Sequence, residues 1–498
     1  MITFVISLVI LILGYFIYGK LVERVFSPDD RNTPAVKIND GVDFVALPTW
    51  KVFMIQFLNI AGTGPVFGAI MGMWFGTSAY LWIVLGCIFA GATHDYFSGM
   101  LSMRNNGCGL PGLVGIFLGN NVKKVMLVFS VFLLIMVGVV FVYSPAIILG
   151  DIWAGKLVWI LIIFVYYVIA TLLPIDKIIG RIYPLFAFSL IFMATALMVG
   201  LFVKNPQLPE IWDGMGNLGA DKFGMKGTIF PALFITIACG AISGFHGTQS
   251  PLMARCVKNE KMGRPVFYGA MITEGIVALI WATVSSYFFF YDGWKDVAPA
   301  DLVMQYEQSG KTLIQFFDAP TVVKLVCNGW LGVFGGILAL LGVVAAPITS
   351  GDTAFRSARL IIAEFIHLEQ RSMTKRLIVA VPLFAASIAF LFWQVNNPDG
   401  FNTIWQYFGW SNQTLSVFTL WAITVYLVRE KKPYMITLIP AVFMTIVCTT
   451  FIIVSNNGFG MSMEYGYGSA GAILIISFAW FFYWKNIRAN ANKPELKK

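Results

Sequence analysis

Ionisable residues inside apolar segments are the first sign of chemistry in this sequence. His94 and Asp95 are adjacent in GATHDY, His246 lies in GFHGTQSP, and Glu274 lies about ten residues into an apolar run. A charged group inside a membrane is costly, so such residues indicate function. We expect these four to carry protons, because a carboxylate beside an imidazole favours the protonated ring. The alternatives are a structural His94–Asp95 pair near the headgroups and an ion pair between Glu274 and a basic residue of another segment.

Two stretches rich in glycine and polar residues interrupt apolar runs: LNIAGTGPVFG and CGAISGFHGTQSPLMAR. An interrupted helix leaves backbone groups unpaired at membrane depth, which is tolerated where they line a cavity. Pro65 and Pro251 would each occupy the first position of a new half-helix, with Thr63 and Ser250 near the N-caps. Helix N-termini favour an anion such as a carboxylate. A tolerated kink is the alternative for either break alone, but their recurrence favours a substrate site, for which the candidates are Ala61, Gly62, Thr63, Gly64, Pro65, Gly244, His246, Gly247, Thr248, Gln249 and Ser250.

Hydroxyl and carboxylate side chains near the end of a later segment, in AAPITSGDTAFRSARLIIAEF, suggest a cation site facing the first break. Its candidate residues are Asn59, Ala345, Thr349, Ser350 and Asp352. The residues that follow have apolar positions at helical spacing, with Arg356 and Arg359 on the other face. That pattern predicts an amphipathic helix over 352–366 along the inner membrane surface, with Asp352 as its N-cap or as a gate residue.

The elements that hold these residues are membrane helices. Apolar residues make up 58% of the 498 positions and charged residues 12%, with a mean hydropathy of +0.77, which excludes an ordinary soluble globule. The pattern predicts an all-α polytopic membrane protein with about thirteen spans. Their approximate limits are 2–18, 51–74, 78–102, 124–149, 157–173, 183–203, 227–247, 265–290, 327–348, 377–394, 402–428, 434–454 and 467–484.

The breaks fall in the second and seventh spans, five crossings apart. An odd number of crossings reverses direction, so the pattern predicts two inverted five-helix repeats, each led by a broken helix, as in LeuT-type (APC-like) secondary transporters. We divide the chain into an N-terminal span and linker (1–50), a first repeat (51–203), an external loop (204–226), a second repeat (227–428) with an external loop at 291–326, and two further spans with a tail (429–498).

Basic residues predict the orientation. With the N-terminus outside, 27 of the 34 lysine and arginine residues fall on the cytoplasmic side. The net charge of +9 therefore reflects loops near anionic lipid and does not indicate nucleic-acid binding. The three histidines lack metal-ligand spacing, and no motif of a hydrolase, an ATPase or a dinucleotide-binding enzyme occurs. We expect a transporter without a metal or another cofactor, and not an enzyme; a channel or a nutrient sensor on the same scaffold is the alternative class.

Several stretches together resemble the carbon starvation protein A family, CstA: LNIAGTGPVFG, GATHDY, LPIDKIIGRIYPLF, GFHGTQSPLMARCVKNE, GDTAFRSARLIIAE and FNTIWQYFGWSNQTLS. The resemblance implies a bacterial inner-membrane transporter that takes up peptides or pyruvate with protons under carbon limitation. Pyruvate needs one anion site and a small cavity, whereas a peptide also needs a partner for its ammonium group. No acidic residue lies in either break, so we expect a small carboxylate, with a peptide as the alternative substrate and Na⁺ as the alternative to H⁺.

Overall fold

The computed structural model describes residues 1–41, 43–150, 153–172, 175–225, 227–370, 372–397 and 400–488. Every regular element among these residues is helical, which confirms the predicted all-α class. The α-helices in chain order are α1 (Ile2–Phe16), α2 (Tyr18–Phe26), α3 (Pro34–Lys37), α4 (Thr49–Ile60), α5 (Ala69–Gly72), α6 (Ser78–Leu81), α7 (Ala92–Arg104), α8 (Leu110–Leu118), α9 (Asn120–Gly150), α10 (Lys156–Leu172), α11 (Ile175–Lys204), α12 (Leu218–Phe223), α13 (Phe234–Thr236), α14 (His246–Ala254), α15 (Gly269–Phe290), α16 (Ala300–Ser309), α17 (Leu313–Phe316), α18 (Ala319–Phe365), α19 (Met373–Asn396), α20 (Gly400–Arg429), α21 (Met435–Val454) and α22 (Met463–Arg488).

Wider and narrower helical turns join some of these helices. The π-helical stretches are Gly64–Gly68, Trp82–Gly91, Ile229–Leu233 and Arg264–Tyr268, and the 3₁₀ turns are Met73–Phe75, Ile211–Asp213 and Glu260–Met262. π-Helical turns inside helices occur frequently at functional sites. Gly64–Gly68 lies in the first predicted break, and Ile229–Leu233 lies shortly before the second.

Within the described residues, eight helices are long and apolar enough to cross a membrane. A ninth crossing results when Thr49–Ile60 and Gly64–Phe75, which are bent by 55° at the first break, are counted as one span. The predicted count of thirteen and the two inverted repeats therefore stay predictions.

The centre of the molecule is formed by α15 and by residues Gly335–Phe365 of α18. In the apolar window of Glu260–Phe290, 89% of the residues are buried, against 17% for Met463–Asn486 at the periphery. A helix that is apolar all round and buried belongs to the core. Glu274 therefore lies at the centre of the protein and not on a lipid-facing surface.

One predicted element is wrong. No separate amphipathic helix begins at 352, because α18 continues through this stretch to Phe365, and Arg356 and Arg359 are both buried. Both side chains make hydrogen bonds inside the protein: Arg356 donates to the carbonyl of Ala170 at the end of α10, and Arg359 to the side chain of Gln370. Asp352 lies in the interior of α18, so it is not an N-cap.

Residues 27–48, of which Val42 lies outside the described residues, form a segment that we call the strap. It connects α2 to α4 and pairs at two points with the loop that follows α14, through the bridges Asn32–Asn259 and Leu47–Val257. The strap thus connects the loop after the second break to the first two helices.

A buried ion pair holds this arrangement. Arg104, at the end of α7, donates to both carboxylate oxygens of Glu260 at 2.9 and 3.0 Å and to the carbonyl of Ser27 at 2.8 Å. Glu260 is 1% exposed and also accepts from the backbone N–H of Asp29. Such two-pronged arginine–carboxylate pairs are among the stronger polar contacts in proteins.

Candidate functional site

The first break follows α4, which ends at Ile60. Residues 61–63 leave the helix, and the chain resumes at Gly64 with Thr63 in the N-cap position, as predicted. Pro65 is the second residue of this half-helix and not, as predicted, the first. Ser350 of α18 donates to the carbonyl of Leu58 at 3.0 Å. The side chains of Asn59 and Thr63 are buried, and their polar atoms have no hydrogen-bond partner among the described residues. Buried polar side chains usually have a hydrogen-bond partner, so these two groups are open to a ligand or to water.

The second break spans residues 237–245, between α13 and α14. Asn412 of α20 holds it open: its side-chain oxygen accepts from the backbone N–H of Phe245 at 2.7 Å and from the hydroxyl of Ser243 at 3.0 Å. The backbone N–H of Gly244 donates to the carbonyl of Asn412 at 3.1 Å. This peptide region is therefore satisfied by a neighbouring helix, as required at membrane depth.

The predicted start of the second half-helix is wrong. It begins at His246 and not at Pro251, and both Ser250 and Pro251 lie within α14. The first turn forms earlier because the carbonyl of Phe245 accepts from the N–H groups of Thr248 and Gln249. We predicted unwinding at about residues 243–250; residues 243–245 are unwound, whereas 246–250 are helical.

The four predicted proton carriers form one connected chain. Nδ1 of His94 lies 2.8 Å from Asp95 Oδ1, and Asp95 Oδ2 lies 2.9 Å from Nδ1 of His246. Nε2 of His246 then lies 3.4 Å from Glu274 Oε2. All four side chains are 0% exposed. Asp95 therefore joins both histidines inside the protein, and the structure places the His94–Asp95 pair away from any exposed surface.

The two breaks meet beside this chain at Cys239. A Cβ atom added to Gly64 would lie 2.3 Å from the Cys239 sulfur, so the first break packs directly against the second. The sulfur, Nε2 of His246 and a carboxylate oxygen of Glu274 lie within 4.8 Å of one another. Gly64 is thus required for close approach, because any side chain there would overlap Cys239.

The other predicted substrate residues surround this point in different ways. Gly62 packs against Ser350 and Phe141, and Gly247 packs against the ring of His94. Thr248 donates to the carbonyl of Phe245, whereas Ser250 accepts from Gln56 of α4 at 3.2 Å. Ala61 and Gly244 are buried at the two breaks. These contacts turn most of the polar groups of α14 toward the protein and leave the oxygen of Gln249 buried without a partner among the described residues.

The candidate cation residues separate into two groups. Ser350 and Asn59 lie at the first break, where Ser350 donates to the carbonyl of Leu58. Thr349 donates instead to the carbonyl of Ala346, which lies one turn earlier in α18. Ala345 is a buried residue of α18. Asp352 does not join them, because it accepts from Tyr183 at 2.7 Å and from Tyr166 at 3.4 Å. The carboxylate therefore lies toward α10 and α11, apart from the first break.

Cys239, Asn412 and Gln56 join the site without having been predicted as part of it. Neither Cys239 nor Asn412 stands out in the sequence: the first is a lone cysteine beside an apolar stretch, and the second is an amide in an apolar span. Asn412 does connect two helices, but the group it binds is the unwound backbone of the second break. An amide in an apolar span was the only sequence signal for Asn412. Asn412 is far from either break in sequence, so this signal could not identify its partner.

A small cavity of about 20 Å³ adjoins this region between α14 and α18. Its lining includes Thr248 of α14, Ser357 of α18 and two charged side chains, Arg255 and Glu364. Gln249, beside Thr248, donates to Ser357 at 3.3 Å. The cavity thus reaches the same half-helix that carries His246.

Comparison with known proteins gives a family match over most of the chain. The model of the family "Carbon starvation protein CstA" matches residues 1–149, 140–328 and 318–451. An uncharacterized membrane protein of Haemophilus influenzae is 46% identical over 339 residues, which cover 58% of this chain and 91% of that protein. The peptide transporter CstA of Bacillus subtilis is 27% identical, covering 88% of this chain and 87% of the relative.

A relative with a different named substrate also matches, and so does a solved fold. The pyruvate/proton symporter BtsT of Escherichia coli is 25% identical, covering 84% of this chain and 76% of the relative. A crystal structure of the Eremococcus coleocola manganese transporter superposes with a TM-score of 0.57 at 12% identity, over 91% of this chain and 99% of that chain. At that identity the match supports the fold alone. Since the family model covers most of its length, this chain is a multi-pass membrane protein that belongs to the carbon starvation protein CstA family.

Proposed function

We propose that this protein is a secondary active transporter that imports a small carboxylate, pyruvate, together with protons across the bacterial inner membrane. The observation that carries the proposal is the buried chain His94–Asp95–His246–Glu274, set where two broken helices meet. An incoming carboxylate is expensive in a low-dielectric interior unless its charge is balanced. A proton held by this chain supplies that balance.

The two breaks supply the substrate contacts in this proposal. First-turn N–H groups of a helix have no intrahelical partner and favour a carboxylate. The half-helices that begin at Gly64 and His246 supply two such ends, and the buried Asn59 and Thr63 lie at the first of them without hydrogen-bond partners among the described residues. The candidate cation residues Ser350, Thr349 and Asn59 offer Na⁺ as the alternative coupling ion.

Peptides are the second candidate substrate. Glu274 lies at the site and would serve as a partner for a peptide ammonium, and the neighbouring cavity carries both Arg255 and Glu364. Relatives named as peptide transporters include that of Bacillus subtilis. The two candidate substrates would bind to the same fold. A peptide would differ from pyruvate in needing Glu274 as a partner for its ammonium group.

Counterflow in proteoliposomes tests the proposal. Purified protein is reconstituted with unlabelled pyruvate inside, and labelled pyruvate or labelled dipeptide is added outside, with proton and sodium gradients imposed separately. We expect saturable pyruvate counterflow and accumulation driven by the proton gradient. Peptide counterflow without pyruvate counterflow would shift the assignment to the second candidate. Non-saturable flux of either, or none, would contradict a transporter and favour a channel or a sensor.

A further inference from the structure

We propose that Cys239, His246 and Glu274 form a binding site for a thiophilic divalent metal ion, of which Zn²⁺ is the probe. Their sulfur, ring nitrogen and carboxylate oxygen lie within 4.8 Å of one another, and all three side chains are buried. Zinc binds such ligands at about 2.0–2.3 Å, which places neighbouring ligands of a tetrahedral ion roughly 3.3–3.6 Å apart. The 3.4 Å between His246 Nε2 and Glu274 Oε2 falls in that range.

The ligand atoms are available. Neither carboxylate oxygen of Glu274 nor Nε2 of His246 has a hydrogen-bond partner among the described residues, although all are buried. Leaving a buried polar group unpaired is costly, so these atoms are open to a further ligand. A metal ion would bind Nε2 of His246 and one carboxylate oxygen of Glu274 together with the sulfur of Cys239.

The surrounding contacts match those of metal-binding histidines and thiolates. Nδ1 of His246 is held by Asp95 at 2.9 Å, which leaves Nε2 for a metal. Metal-bound histidines almost always make such a bond from the other ring nitrogen to a carboxylate or carbonyl. The amide of Asn412 donates to the sulfur of Cys239 at 3.5 Å. A ligand set with one sulfur favours Zn²⁺, Co²⁺ or Cd²⁺ over Mg²⁺ and Ca²⁺.

The inference goes beyond the proposed function and does not require pyruvate to be the substrate. Metal binding needs deprotonated ligands, so an ion at this site competes with protons for the same lone pairs. Three protein ligands leave a fourth position of a tetrahedral ion for water or for a small ligand. We therefore expect Zn²⁺ to inhibit any transport that uses the proton chain.

Cobalt spectroscopy on the purified full-length protein tests the site. We expect one equivalent of Co²⁺ to give a thiolate-to-metal charge-transfer band that Zn²⁺ abolishes. Cys239→Ser should lose the band, whereas Cys327→Ser, the matched control at a buried cysteine of α18, should keep it. Asp95→Asn should keep the band with affinity weakened roughly 10–100-fold, because Asp95 positions a ligand and does not touch the metal.

A wild-type protein without the band, or a band that persists in Cys239→Ser, would overturn the site. Should Cys239→Ser fail to fold, X-ray absorption of the zinc-loaded wild type decides the question: one sulfur neighbour at about 2.3 Å with nitrogen or oxygen at about 2.0 Å is expected, and a shell without sulfur refutes it. Metal binding is measured by spectroscopy and does not depend on transport. Failed counterflow would therefore contradict only the proposed function, and a missing charge-transfer band would contradict only the metal site.

Discussion

At the scale of single residues, Gly64 is a position where the two breaks pack directly against each other. Replacing it with leucine should abolish transport, because a Cβ alone would lie 2.3 Å from the sulfur of Cys239. The measurement is pyruvate counterflow, together with the amount of protein in the membrane fraction, which we expect to be retained. Gly471→Leu is the matched control, since a Cβ there meets nothing within 4 Å. Wild-type counterflow in Gly64→Leu would contradict contact between substrate and this backbone.

Glu274 and His246 should have separable roles. A glutamine at 274 cannot release a proton, so Glu274→Gln should still exchange pyruvate while losing accumulation driven by a proton gradient. His246→Ala should weaken both, because it also breaks the link between Asp95 and Glu274. Exchange and accumulation are measured side by side, with Glu464→Gln at an exposed position as the control. If both variants accumulate pyruvate normally, coupling lies elsewhere, and a sodium requirement through Ser350 and Thr349 should appear.

The chemistry of the site was visible in the sequence, but its pairing was not. The cost of burying a charge identified His94, Asp95, His246 and Glu274 individually. That Asp95 reaches His246 across 151 positions depends on the packing of α7 against α14, which no local pattern contains. Cys239 was missed for the same reason, since a lone cysteine in an apolar span is indistinguishable from a core residue until its neighbours are known.

At the scale of elements, α20 keeps the second break open through Asn412. Asn412→Ala removes the acceptor of the Phe245 N–H and the Ser243 hydroxyl, so it should cost roughly 1–3 kcal/mol through unpaired buried groups. We expect a lower unfolding temperature in detergent and weaker pyruvate binding. Asn457→Ala, which loses an exposed bond to Gln406, is the control and should change stability by about 0.5 kcal/mol or less. Equal unfolding temperatures for the two variants would refute this role.

Helices and breaks were predicted more reliably than their limits. Apolar length is enough to find most of the helices, and glycine with proline is enough to find an interruption. The start of α14 was misplaced by five residues because the capping group is Asn412, a residue of another helix, and not a local Ser250. The predicted surface helix over 352–366 failed because arginine at helical spacing looks the same whether it faces water or caps the carbonyl end of α10.

At the scale of the whole molecule, the positive loops predict that the N-terminus faces outside. Single cysteines introduced at Lys295 and Lys258, both exposed, would then react from opposite sides of the membrane. Labelling of intact cells by an impermeant maleimide should modify Lys295→Cys and spare Lys258→Cys. Five of the six native cysteines are buried, which keeps the background low. The reverse labelling pattern would invert the assigned orientation.

The strap has a consequence for how the protein responds to its surroundings. Its surface pair Lys261–Asp30 has both partners at least half exposed, so dissolved salt screens it readily. Glu260, which holds the strap to Arg104, is 1% exposed and is screened far less. A rise in ionic strength should therefore loosen the outer contacts of the strap while the Arg104–Glu260 pair stays closed.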